Sequence, residues 1–151
     1  MNPSSHNIGF ISTRFAGTDG VSLETQKWVT VLERMGHKCF YFAGECDRSA
    51  ESSHVVPEAF YRHPEIDKLN QQAYSGSWTV TKEARESHPE MAHLHKDFFS
   101  IYVRPPAMTR RINELKDYFK KELYVFARKF NLEVLVTENA LTIPLNIPLG
   151  L

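Results

Sequence analysis

The order of apolar and polar positions predicts a strand, a loop, a helix and a second strand at the start of the chain. Residues 8–13 are mostly apolar and lead into a loop that contains Gly17 and Gly20. From Gly20 to Met35, apolar or small residues recur at the three- and four-residue spacing of one helical face. They are Val21, Thr25, Trp28, Leu32 and Met35. We expect Trp28 to lie in the core. Residues 38–43 are apolar at nearly every position, which is typical of a strand covered on both faces.

The most regular apolar pattern lies in the second half of the chain and predicts a long helix over residues 108–130. Its apolar positions repeat every three or four residues: Met108, Ile112, Leu115, Phe119, Leu123, Phe126 and Phe130. Residues 133–137 then predict a short buried strand.

Between these two regions the pattern is weaker. We interpret residues 45–107 as a helical insertion between sheet elements. Within this stretch, Val55 and Val56 predict a short strand. Pro64–Tyr74 predicts a helix, with proline at a tolerated first-turn position. A further helix is predicted to begin near Pro89 and to end at Arg104-Pro105-Pro106, with an apolar stripe of Met91, Leu94, Phe98 and Ile101.

The order β-α-β, insertion, long helix and β predicts the fold class. Right-handed crossovers make such a sheet parallel. We therefore expect an α/β protein with a Rossmann-like, mostly parallel sheet flanked by helices, forming one domain over residues 1–151. The apolar stretch 141–151 has nothing after it to pack against, and we expect the chain to be a fragment of a longer polypeptide.

Composition restricts the classes of function. Lys plus Arg and Asp plus Glu each total 18, so there is no basic excess to favour a nucleic-acid partner. The sequence has no apolar run long enough to span a membrane. The first residues lack a secretory signal, and the two cysteines, Cys39 and Cys46, cannot form a disulfide framework. The cytoplasm is the simplest compartment.

The loop after the first strand is the main candidate site. A strand that feeds a glycine-bearing turn at a helix start presents backbone N–H groups to an anion. Arg14 would bind a phosphate or carboxylate bidentately, or be an exposed loop residue. Asp19 is also a good N-cap, which would need no ligand. Glu138 and Asn139 leave the carboxyl end of a strand, where they would bind a ligand or form a turn.

Other chemistries find little support in the residues. His93 and His95 lie two apart, which points them to different faces of a helix, and we expect no metal site. No nucleophile elbow supports a hydrolase. The spacing of Gly9, Gly17 and Gly20 is not that of a dinucleotide-binding fingerprint, which disfavours an oxidoreductase.

Two stretches of the sequence resemble a known family. Residues 17–25 and 32–42, with Gly36-His37 after the first helix, look like the N-terminal domain of retaining glycosyltransferases of family 4. Residues 132–139 are similar to that family's later strand and its exit. The sequence differs from the usual pattern in having Thr-Asp between the loop glycines. Thr137 and Asn139 also stand where histidines are common.

The resemblance implies a GT-B fold of two Rossmann-like domains, of which this chain would be the N-terminal, acceptor-side one. The activity implied is metal-independent transfer of a sugar from a UDP-, GDP- or ADP-sugar to a hydroxyl acceptor with retention, without a cofactor. The loop residues would contact the donor phosphate or the acceptor: Arg14, Gly17, Thr18, Asp19 and Gly20. Glu138 and Asn139 would bind the acceptor. The donor-binding domain and the catalytic residues would lie beyond residue 151, so the fragment alone would be inactive. A non-catalytic sugar- or phosphate-binding module is the alternative.

Overall fold

A computed structural model describes residues 5–74, 78–80, 100–102 and 106–151. The helices are α1 (Gly20–Arg34), α2 (Pro64–Tyr74) and α3 (Pro106–Lys129), with a short 3-10 helix at Pro57–Ala59. The strands are β1 (Asn7–Ile11), β2 (Arg14–Phe15), β3 (Lys38–Ala43), β4 (Glu45–Cys46), β5 (Ser53–Val55), β6 (Trp78–Val80), β7 (Ser100–Tyr102) and β8 (Val134–Thr137). Most of the helix predicted from Pro89 lies outside the described residues. Its last part was wrong, because Ile101 belongs to strand β7, which pairs with β6.

Four parallel strands form the main sheet in the order β5-β3-β1-β8. This confirms the predicted α/β class with a parallel sheet flanked by helices. The short strand predicted at Val55 and Val56 is β5, one to two residues earlier, and it adds an edge strand to this sheet. The first part of the predicted insertion thus contributes to the central sheet.

Side chains alternate between the two faces of the sheet, as the period of a strand requires. From β3, Cys39, Tyr41 and Ala43 pack on the α1 side, whereas Phe42 packs on the α3 side. On the α3 side, Gly9 of β1 allows close approach of the helix, because a Cβ there would meet two side chains of that layer.

The long helix buries the predicted stripe. Met108, Ile112, Leu115, Phe119 and Phe126 are all buried in one cluster. Leu123 and Phe130, the other two members of the stripe, pack partly buried against the same cluster. The pattern of period three to four therefore predicted both the helix and its buried face.

The buried face of α1 differs from the prediction. Trp28 is 54% exposed, and the residues that face the sheet are Ser22, Thr25 and Val29. All three are smaller than Trp28. The prediction that Trp28 belongs to the core was wrong, because the sequence pattern did not show which of two adjoining faces the sheet would cover.

The strand predicted at 133–137 does form as β8, but the prediction that it is buried was wrong. Leu135 is 53% exposed, and Val134 is exposed as well. In the described part of the sheet, β8 has a neighbour on one side only, which is β1. An apolar strand sequence therefore does not by itself establish that both faces are covered.

The segment after β8 folds back over the 3-10 helix. Asn146 is buried, and its side-chain amide nitrogen donates to the backbone oxygens of Glu58 (3.0 Å) and Ala59 (3.1 Å). Its amide oxygen accepts a hydrogen bond from the backbone N–H of Leu149 at 3.2 Å. These contacts place residues 139–145 beside the carboxyl edge of the sheet.

Candidate functional site

A cavity of about 270 Å³ opens at the carboxyl edge of the parallel sheet. It is lined by residues that follow β1, by the loop before α1, and by the segment after β8. The lining residues are Ser12, Thr13, Arg14, Asp19, Val21, Tyr61, Asn139 and Leu145. Parallel α/β sheets bind ligands at this edge, where the loops after neighbouring strands converge.

Asp19 is the N-cap of α1, as its position suggested. Its side chain accepts a hydrogen bond from the backbone N–H of Ser22 at 3.0 Å and another from the Ser22 hydroxyl at 2.9 Å. Burial by itself would raise the pKa of Asp19, but the hydrogen bonds from Ser22 and the charge of Arg14 outweigh it and hold that pKa below its ordinary value. The carboxylate therefore lies at the start of the helix, where the peptide dipoles favour negative charge.

Arg14 is held between two carboxylates. Its Nε donates to Glu45 at 2.6 Å and one terminal nitrogen donates to Asp19 at 3.1 Å. The pairing of β2 with β4 places Arg14 directly opposite Glu45 and fixes this arrangement. The hydrogen bond to Glu45 is the main reason that the pKa of Arg14 is raised. The guanidinium thus holds two acidic side chains, of which Asp19 lines the cavity.

The two loop glycines differ in what they do. Gly17 has a left-handed backbone (φ 71°), which favours glycine, and its N–H donates to the Asp47 carboxylate at 2.8 Å. Gly20 begins α1, and a Cβ added there would meet no atom within 4 Å. The left-handed backbone at position 17 therefore explains why glycine is found there, whereas no contact in the described fold explains the glycine at position 20.

The exit of β8 contributes the other side of the cavity. Asn139 lines it and has a left-handed backbone with φ 60°, a conformation that asparagine tolerates better than most residues. Glu138 precedes it and is half-buried. Burial is the main cause that raises the pKa of Glu138, and the nearby Glu24 raises it further.

The structure brings three of the predicted site residues together, namely Arg14, Asp19 and Asn139. Gly17, Thr18, Gly20 and Glu138 do not line the cavity. The sequence interpretation missed Ser12, Thr13 and Tyr61. The first two carried a signal, since they are polar residues directly after an apolar strand. Tyr61 carried none, because only the fold brings it to this edge.

The described residues contain no group of three or more histidine, cysteine, aspartate or glutamate side chains placed to hold a metal ion. His88, His93 and His95 lie outside them. Among the helices described, none combines the length and apolar character needed to cross a lipid bilayer.

Comparison with known proteins gives one informative similarity. The chain is 26% identical over 101 residues to the mannosylglucosylglycerate synthase of Thermotoga maritima. The match includes 63% of this chain but only 23% of the relative, so the chain spans less than a quarter of that enzyme's length. No protein-family description and no solved structure match the chain. The chain is therefore distantly similar to part of a glycosyltransferase.

Proposed function

We propose that this chain is the acceptor-side part of a glycosyltransferase. The proposed reaction transfers a sugar from a nucleotide-sugar donor to a hydroxyl acceptor with retention at the anomeric carbon. The observation that carries this proposal is the cavity at the carboxyl edge of the sheet. Arg14 and Asp19 reach it from the loop before α1, and Asn139 reaches it from the exit of β8. The distant similarity to the mannosylglucosylglycerate synthase supports sugar transfer as the reaction class.

The proposal extends beyond the residues of this chain. It includes a GT-B arrangement of the family 4 type, in which a second domain after residue 151 binds the donor and supplies the catalytic residues. The donor would be a UDP-, GDP- or ADP-sugar, without a metal or another cofactor. Within this chain, the backbone at Gly17, Thr18 and Gly20 would face the substrates. Glu138 would contribute to acceptor binding beside Asn139.

The test measures nucleotide release by the longest natural polypeptide that contains this chain. It is incubated with UDP-, GDP- and ADP-sugars and a panel of hydroxyl acceptors. We expect release with one donor class, dependent on the acceptor, and a product that keeps the anomeric configuration of the donor. Absence of release with every donor and acceptor would contradict the proposal.

A Gly20→Ala variant sharpens this test. The added methyl meets no atom of the chain, so we expect thermal unfolding to remain unchanged. If substrates approach the loop closely, the same methyl lowers transfer activity. The control is Gly36→Ala, also with open space around the added methyl but located beyond the far end of α1. Because Gly36 has φ 92°, this control should lose some stability and keep its activity per folded molecule.

A non-catalytic sugar-binding module is the second candidate. One observation favours it: the carboxylates of Asp47 and Asp19 already accept hydrogen bonds from the backbone N–H groups of Gly17 and Ser22, so a donor phosphate is not needed to satisfy these two groups. Saturable sugar binding by a polypeptide that transfers no sugar from any donor would select this candidate over the enzyme.

A further inference from the structure

We propose that the cavity at the carboxyl edge binds a neutral, hydroxyl-rich unit such as a sugar or polyol, and that it does not bind a phosphate group. The inference rests on the proposed function, since it names the chemistry of the ligand at that same site. Four observations carry it.

The first is that the chain's own carboxylates occupy two backbone N–H groups at this site, one in the loop and one in the first turn of α1. The Gly17 N–H donates to Asp47 at 2.8 Å, and the Ser22 N–H donates to Asp19 at 3.0 Å. A phosphate at a glycine-bearing loop uses backbone N–H groups of this kind. It would have to displace a carboxylate from each of them.

The second is the charge around the loop. Asp19, Glu45 and Asp47 are joined to two guanidinium groups, those of Arg14 and Arg48, by ion pairs of 2.6–3.2 Å. Three carboxylates facing two cations leave one net negative charge. A phosphate would therefore meet repulsion here, whereas a neutral ligand would not.

The third is the set of polar groups that remain for a ligand. Ser12, Thr13, Tyr61 and Asn139 line the cavity with three hydroxyls and one amide. Among the described contacts, none of these four side chains has a hydrogen-bond partner within the protein. Hydroxyls and amides both donate and accept, and they therefore match sugar hydroxyls, which also do both.

The fourth is the size and backbone geometry of the cavity. A volume of about 270 Å³ lies just below the usual range for small-molecule sites, which suits one monosaccharide-sized unit. Val21 and Leu145 add apolar surface for the C–H faces of such a unit. Asn139 keeps its left-handed backbone at the rim, and unusual backbone conformations of this kind concentrate at binding sites.

The test titrates the 151-residue chain with mannose and glucose as neutral ligands and with inorganic pyrophosphate as the anionic ligand, at constant ionic strength. Binding is followed by NMR amide shifts. We expect at least one of the two sugars to shift the Ser12, Thr13 and Asn139 amides saturably, with dissociation constants on the order of millimolar. Pyrophosphate should leave these amides unchanged.

Two variants and one matched control identify the responsible groups. Asn139→Gly removes the amide without straining the backbone, and we expect sugar affinity to fall about fivefold, which corresponds to one neutral hydrogen bond. Asn131→Gly is the matched control, because Asn131 is also left-handed (φ 48°) but does not line the cavity. Asp47→Ala frees the Gly17 N–H and removes a negative charge, so pyrophosphate binding should appear.

Saturable pyrophosphate shifts in the unaltered chain would overturn the inference. The same holds if neither sugar shifts these amides, or if the two asparagine variants lose affinity equally. These outcomes are separate from the proposed function, which fails only if the longer polypeptide transfers no sugar. If the longer polypeptide transfers a sugar and its donor phosphate binds in this cavity, the proposed function stands and the inference is refuted.

Discussion

Replacement of Asp19 by alanine should destabilise the protein through the start of α1. The change removes the acceptor for both the backbone N–H and the hydroxyl of Ser22, and it removes one of the two carboxylates on Arg14. Loss of an N-cap side chain typically costs about 0.5–2 kcal/mol. We expect the upper half of that range, about 1–2 kcal/mol, because Ser22 is buried and water cannot replace the lost acceptor.

The assay is urea unfolding monitored by circular dichroism. The urea concentration at the midpoint should fall, whereas the slope of the unfolding free energy against urea should stay the same, because the surface exposed on unfolding is unchanged. In a thermal melt, the same loss of about 1–2 kcal/mol in unfolding free energy corresponds to a fall in melting temperature of roughly 2–8 °C for a chain of this length. Asp19→Asn is the informative partner, since asparagine caps helices about as well as aspartate, and it should retain most of the stability. Asp117→Ala, at an exposed position of α3, is the control and should change stability by at most about 0.5 kcal/mol.

The pH dependence gives a second readout. The pKa of Asp19 is lower in the folded protein than its ordinary value. Its charged form therefore adds stability that is fully present above the ordinary carboxyl pKa and is lost as the pH falls through the folded pKa. The difference between the unaltered protein and Asp19→Ala should shrink over that acidic window. If Asp19→Ala unfolds like Asp117→Ala at neutral pH, the cap does not stabilise the helix and this reasoning is wrong.

Three further predictions concern the core and the thiols. Gly44→Ala should prevent folding or yield insoluble protein, because an added Cβ overlaps the backbone that follows the 3-10 helix; solubility and circular dichroism check this. Phe126→Ala should lower the free energy of unfolding by about 3–5 kcal/mol because the ring is fully buried, whereas exposed Tyr124→Ala should cost no more than about 0.5 kcal/mol in the same urea titration. Cys39 is buried, and burial raises its pKa to about 11. Iodoacetamide at pH 8 should therefore modify only the half-buried Cys46 in the folded chain and both cysteines in urea, as counted by mass spectrometry.

Much of the fold was predictable because local patterns and tertiary packing agree. The boundaries of β3 and α2 match the prediction residue for residue. Helix α1 ends at Arg34 with Met35 as its C-cap, one residue before the end of the predicted helix, and Gly36 with φ 92° follows, as is common after a helix. The long helix α3 buries a stripe that was visible in the spacing alone. In each of these elements the period of the apolar residues and the stop signals indicate the same structure.

The candidate site was less predictable. The sequence indicated Arg14, Asp19 and Asn139, because each lies in the loop after a strand. It could not show that Arg14 and Asp47 are already engaged by neighbouring groups, since those contacts join residues about 30 positions apart. Tyr61 joins the site from a stretch without a recognisable pattern.

By itself, then, the sequence determined the elements whose hydrophobic period is strong, and with them the parallel α/β class. Only the tertiary structure decided which face of α1 meets the sheet and how far β8 is exposed. It also decided which side chains occupy the backbone donors of the glycine-bearing loop. The physical reason is the separation along the sequence of the residues involved. Periodicity depends on neighbours within one or two helical turns. Burial and ion pairing depend instead on which distant segments the fold brings into contact.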